Sequence, residues 1–159
     1  GLEKTSLNML IGYTGSTERC QVESDILNEL RNSGNLKLIR NKDLRVAISK
    51  WSTVYLELKE EEQDWENYFN NQYLNYMNNW ISWDDVDLIV SEDQDKYSFE
   101  PSKFDYDPNK VLQEFEYANH LNNMHWRMRR VQQRIEAAKR MTAVVDSLIG
   151  FELQMSERI

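Results

Sequence analysis

The sequence predicts an all-α fold, an elongated antiparallel helical bundle with two long spine helices and shorter N-terminal helices. Three observations predict it. Only 5 Gly and 2 Pro punctuate 159 residues, fewer breaks than an all-β or a turn-rich α/β chain needs. Apolar residues recur at threes, fours and sevens through two long stretches, the spacing of one helix face. An acidic cluster in the first stretch and a basic cluster in the second stand at heights that meet if the stretches run antiparallel. The length suits a single domain over 1–159. A hydrophobic share of 40%, with 5 Trp, 8 Tyr and 5 Phe, is too rich in anchors for a disordered chain.

The elements follow in order. Residues 1–34 hold the short helices. Leu7, Leu10 and Ile11 give a first one, broken by Gly12-Tyr-Thr-Gly15. Val22, Ile26 and Leu30 form the stripe of a second over about 17–32, and Gly34 stands where a left-handed cap belongs. Residues 35–80 hold a lead-in and the first long helix. Asn41 is its cap and Asp43 sits in its first turn. Leu44, Ile48, Trp51, Tyr55, Leu58, Trp65, Phe69, Tyr73, Tyr76 and Trp80 carry its period to residue 80 without a Gly or Pro. Residues 81–107 lose the period and read as a long acidic loop anchored by aromatics, with a helical turn near Asp84. Residues 108–159 form the last long helix. Asp107-Pro108 starts it, a bend falls between Glu114 and Asn119, and Gly150 weakens it without stopping it.

Charge supports the antiparallel arrangement. Glu57, Glu60, Glu61, Glu62, Asp64 and Glu66 lie in the first long helix; Arg127, Arg129, Arg130, Arg134, Lys139 and Arg140 lie in the last. Position 60 then faces a position near 130. The basic run alone looks like a phosphate patch, but the acids of the same chain are its nearer partner. With 27 Asp+Glu against 19 Lys+Arg and a net charge of -8, no nucleic-acid partner is expected.

Chemistry is harder to find. Cys20 is the single cysteine, which excludes an internal disulfide and a CxxC pair. Glu116, His120 and His125 lack the Glu-x-x-His spacing of a di-iron bundle. No GxSxG, HExxH or phosphate-binding glycine loop occurs, and no spacing favours Cys20 with His120 or His125 as a nucleophile pair. We therefore expect no enzyme and no cofactor. Asp84, Asp85, Asp87, Asp93 and Asp95 are weak calcium candidates, because they supply hard oxygen ligands but lack the glycine of a calcium loop. Trp65, Phe69, Tyr73, Tyr76 and Trp80 are the interaction candidates, read either as a partner surface or as core beneath the 81–107 loop.

Three stretches carry a resemblance. Ser33-Gly-Asn-Leu-Lys-Leu-Ile-Arg-Asn41, Glu114-Phe-Glu-Tyr-Ala-Asn-His-Leu121 and Asp146-Ser-Leu-Ile-Gly-Phe-Glu-Leu153 resemble an uncharacterised bacterial family of single-pass membrane-anchored proteins with an extracytoplasmic helical domain. The resemblance implies a periplasmic location in the full-length protein, with the membrane reached only through an N-terminal anchor ahead of this chain. It implies no chemistry, and the acidic 81–107 segment departs from it. The expected function is a non-catalytic domain for protein interaction or signal sensing, with a protein partner or itself as a homodimer. The alternative is a small-ligand or calcium-binding module using the 81–107 loop.

Overall fold

The computed structural model describes residues 3–14, 29–30, 32–90 and 100–156. The fold is all-α: two long antiparallel helices with shorter N-terminal helices. Helix α1 spans Lys4–Tyr13 and α2 spans Lys42–Tyr68. A wide π turn, Phe69–Tyr73, continues α2 into the one-turn helix α3, Leu74–Met77. Helix α4 spans Trp83–Val90, and α5 spans Phe115–Ser156. The chain forms two compact units, Gly1–Glu18 with Trp65–Trp126 and Arg19–Asp64 with Arg127–Ile159. The expected second helix at 17–32 lies largely outside the described residues, although Glu29, Leu30 and Asn32 are helical.

In the second unit the local signals act as expected. Gly34 takes the left-handed conformation at φ 71°, which costs a residue without Cβ little, and a 3₁₀ turn, Asn35–Leu38, follows. Asn41 Oδ1 accepts from the backbone N–H groups of Asp43 at 2.8 Å and Leu44 at 3.1 Å, satisfying donors that a helix start leaves open. Side-chain bonds then join α2 to α5 at successive heights. Asn41 reaches Glu152 at 2.7 Å, and Trp51 reaches Thr142 at 2.8 Å. Arg134 reaches Glu57 at 2.7 Å, Arg130 reaches Glu61 at 2.9 Å, and Arg127 bonds to Asp64. Each step up α2 meets a step down α5, so the helices are antiparallel in the expected register. Leu44, Ile48 and Leu58 of α2 are buried, while Val131, Ile135, Ala138, Met141, Val145 and Leu148 of α5 recur at threes and fours and are half-buried. Gly150 passes without interrupting α5.

In the first unit, Leu7, Asn8 and Ile11 of α1 are buried against α4. Gly12 permits the close approach. A Cβ there would lie 2.7 Å from Val90 Cγ1 and 3.0 Å from Val86 Cγ1. Tyr73, Met77, Val86 and Val111 complete the centre, each at most 1% exposed.

Three sequence expectations need refinement. The first long helix is not unbroken, since its bonding widens at Phe69–Tyr73 and it ends at Met77. The segment 81–90 is not all loop, since α4 makes two turns there with Asp84 and Asp85 in the first, where acids complement the helix dipole. The last helix begins at Phe115 rather than Asn109. Asp107 does cap a turn, its side chain accepting from Asn109 N at 3.0 Å, but that turn is a 3₁₀ piece, Pro108–Gln113. Glu114, extended at φ -84° and ψ 127°, separates it from α5.

Candidate functional site

Two polar clusters lie in the first unit. The first surrounds His120, which α5 carries between the aromatic residues of α2, the π turn and α3. Tyr68 Oη and His120 Nδ1 are 2.7 Å apart. The imidazole packs on three tyrosines, with ring centroids 4.7 Å from Tyr76, 5.8 Å from Tyr68 and 6.1 Å from Tyr73. Glu116 lies one turn before it, its Oε1 4.0 Å from Nε2. Thr14 Oγ1 donates to Tyr73 Oη at 3.4 Å, which ties the end of α1 to the π turn. Burial pushes the hydroxyl pKa values of Tyr73 and Tyr117 upward, because a phenolate loses hydration there. Both remain neutral hydrogen-bonding groups at ordinary pH. With tyrosine hydroxyls and rings for partners, His120 ties α5 to α2, the π turn and α3.

The second cluster joins α1, α4 and the extended segment before Pro108. Lys4 Nζ lies 2.9 Å from Asp85 Oδ2 and 3.9 Å from the centre of the Tyr106 ring. Asp85 Oδ1 accepts from Ser102 N at 2.8 Å, and Asn8 Nδ2 donates to Tyr106 Oη at 3.1 Å. Burial alone would raise the Asp85 carboxyl pKa. The bonds from Lys4, the Ser102 N–H and Tyr106 outweigh it and hold the carboxyl below its usual value. The same Asp85 bond raises the Lys4 ammonium. A groove of about 200 Å³ opens alongside, lined by Lys4, Thr5, Asn8, Asp85, Leu88 and Ile89.

The structure places the residues singled out from sequence as follows. Trp65 and Tyr73 are 4% and 0% exposed; Phe69, Tyr76 and Trp80 are half-buried. Trp65, Phe69 and Tyr73 pack in succession with tilted rings, centroids 5.8 Å and 5.5 Å apart, and Tyr76 meets Trp80 at 6.1 Å. Asp84 is exposed, Asp85 is held by Lys4 and Ser102, and burial raises the Asp87 carboxyl pKa. Asp93, Asp95 and Cys20 lie outside the described residues. Among the described residues, no group of three or more His, Cys, Asp or Glu is placed to hold a metal ion. Nor is any described helix long and apolar enough to cross a membrane.

Sequence reasoning missed the Lys4 network and the exposed apolar residues that flank the seam at the end of α5. Val144, Ile149, Phe151, Leu153 and Met155, on the last turns of α5, are 41–60% exposed. A signal for them exists, because apolar residues at 144, 145, 148, 149, 151, 153 and 155 cover more of a 3.6-residue helix than one partner seam occupies.

No family model, curated protein or solved structure matches the chain.

Proposed function

We propose that this chain is a non-catalytic helical interaction domain that self-associates through the C-terminal turns of α5. The exposure of Val144, Phe151 and Met155 on one face of α5 carries this reading. At about 100° per residue Val144, Phe151 and Met155 fall within about 40° on one face of α5, with Ile149 and Leu153 about 140–180° around it. An apolar residue presents roughly 150–200 Å² when fully exposed, so the first three together present roughly 250 Å². A stable interface buries about 800 Å² per partner, rather more than half of it apolar. The strip of Val144, Phe151 and Met155 therefore supplies about half of the apolar share of a standard two-fold interface. A second copy brings the same surface, and a two-fold contact needs only one self-complementary patch.

Light scattering on the purified chain at about 100 µM, a concentration that populates a micromolar dimer, tests the reading. The expected result is a dimer that Phe151→Asp converts to a monomer with an unchanged helical circular dichroism spectrum. A wild-type chain that stays monomeric at that concentration overturns it. The three short stretches that resemble the membrane-anchored family support an extracytoplasmic setting for the full-length protein. Protease accessibility of the tagged full-length protein in intact and permeabilised cells tests that setting; an inaccessible domain in spheroplasts overturns it.

A further inference from the structure

The Lys4 contact has the geometry of a bound amine supplied by the chain itself. Its ammonium lies between a carboxylate oxygen at 2.9 Å and an aromatic face at 3.9 Å. A charge-assisted hydrogen bond and a cation–π contact are the pair of interactions by which proteins recognise alkylammonium groups. The two receiving groups are fixed independently of Lys4. Asp85 is held by the Ser102 N–H, and Tyr106 accepts from Asn8 Nδ2.

Lys4 does not satisfy the whole site. Asn8 is 1% exposed, yet its Oδ1 makes no hydrogen bond, although a buried amide oxygen ordinarily finds a donor. Its amide nitrogen is already committed to Tyr106. The missing partner is therefore a donor, and the carboxylate beside it favours a positively charged one. The groove that Asn8 and Asp85 line continues along Leu88 and Ile89, giving an apolar wall next to the polar end. Lys4 itself is the movable part. Its side chain is 44% exposed against 13% for Asp85, and it ends a flexible four-carbon stem.

We propose that this groove binds a small primary amine. The ammonium takes the place of Lys4 between Asp85 and Tyr106 and donates a further N–H to Asn8 Oδ1, while the alkyl chain lies along Leu88 and Ile89. Lys4 acts as an internal competitor that the amine must displace, so it lowers the apparent affinity in proportion to its occupancy.

The test is a titration of the full ¹⁵N-labelled chain with n-butylammonium chloride, followed at the Asn8 side-chain amide and the Ser102 backbone amide. Sodium chloride and 1-butanol serve as matched controls. The expected result is saturable shifts at both positions, binding at least about tenfold tighter in Lys4→Ala, and loss of binding in Asp85→Asn. Shifts that sodium chloride or 1-butanol reproduces overturn the proposal, as does a folded Lys4→Ala chain that binds no more tightly than wild type. If Lys4→Ala loses its helical signal, Lys4→Gln replaces it, keeping the stem and removing the charge; unchanged affinity there overturns the proposal equally.

Discussion

Replacing Gly12 with Ala puts a methyl group where α1 and α4 are closest. The added carbon would lie 2.7 Å and 2.8 Å from the two γ-carbons of Val90 and 3.0 Å from Val86 Cγ1. Carbon atoms in contact prefer about 3.5–4.0 Å, so two valines must give way. Val86 is 1% exposed, so its shift must be taken up inside the core. Relieving such overpacking costs about 1–3 kcal/mol. Against this, alanine in a helix interior is favoured over glycine by about 0.5–1 kcal/mol. The net expectation is a loss of about 0–2.5 kcal/mol. The clash is specific, so Val90→Ala should remove most of it. In that background Gly12→Ala should be neutral or stabilising by up to about 1 kcal/mol, giving a coupling energy of about 1–3 kcal/mol. Urea unfolding of the four proteins, followed by far-ultraviolet circular dichroism, measures all the terms. The reasoning is refuted if Gly12→Ala raises the wild-type midpoint, or if its cost is the same with Val90 truncated.

Two further predictions rest on the polar clusters. The folded-state pKa of Asp85 is lowered, so its contribution to stability is present above the unfolded value near about 3.9 and is lost as pH falls through the folded value. That of Lys4 is raised, so its contribution is complete below about 10.4 and is lost as pH rises through the folded value. With Lys4 44% exposed, the pair is worth at most about 1 kcal/mol. The measurable sign is that Lys4→Gln moves the Asp85 carboxyl pKa upward in an NMR titration, and an unmoved Asp85 contradicts the assignment. Tyr68→Phe removes the 2.7 Å partner of His120 Nδ1, whose side chain is only 12% exposed. It should cost about 1–3 kcal/mol, read from urea midpoints; a loss below about 0.5 kcal/mol would show that the bond is replaced as readily as a surface one.

Much of the fold was legible because its determinants are local or periodic. Asn41 caps α2 through its own side chain, Gly34 adopts the conformation only glycine takes cheaply, and the arginines near 130 meet the acids near 60 because antiparallel helices of fixed rise leave one register. The site was less legible for a corresponding reason. Lys4 and Asp85 lie 81 positions apart, with no period linking them, and only the packing of α1 on α4 brings them together. Periodicity likewise marked α5 as partnered without showing that its apolar positions exceed what α2 covers. The start of α5 was misplaced because Asp107-Pro108 is a sound cap for any helical turn. Nothing in that dipeptide distinguishes a short 3₁₀ piece from a long α-helix.

The wide turn at Phe69–Tyr73 follows from the spacing of the residues around it. Trp65, Phe69, Tyr73 and Met77 are each four apart. On a helix of 3.6 residues per turn a four-residue step overshoots by about 40°, so three steps rotate the last residue about 120° away from the first. Yet Trp65, Tyr73 and Met77 are all buried, at 4%, 0% and 0% exposure. Bonding from i to i+5 takes more residues per turn and so removes part of that drift between Trp65 and Met77. The π turn is thus a phase correction, and an unbroken run of large apolar residues at intervals of four is its mark in the bare sequence.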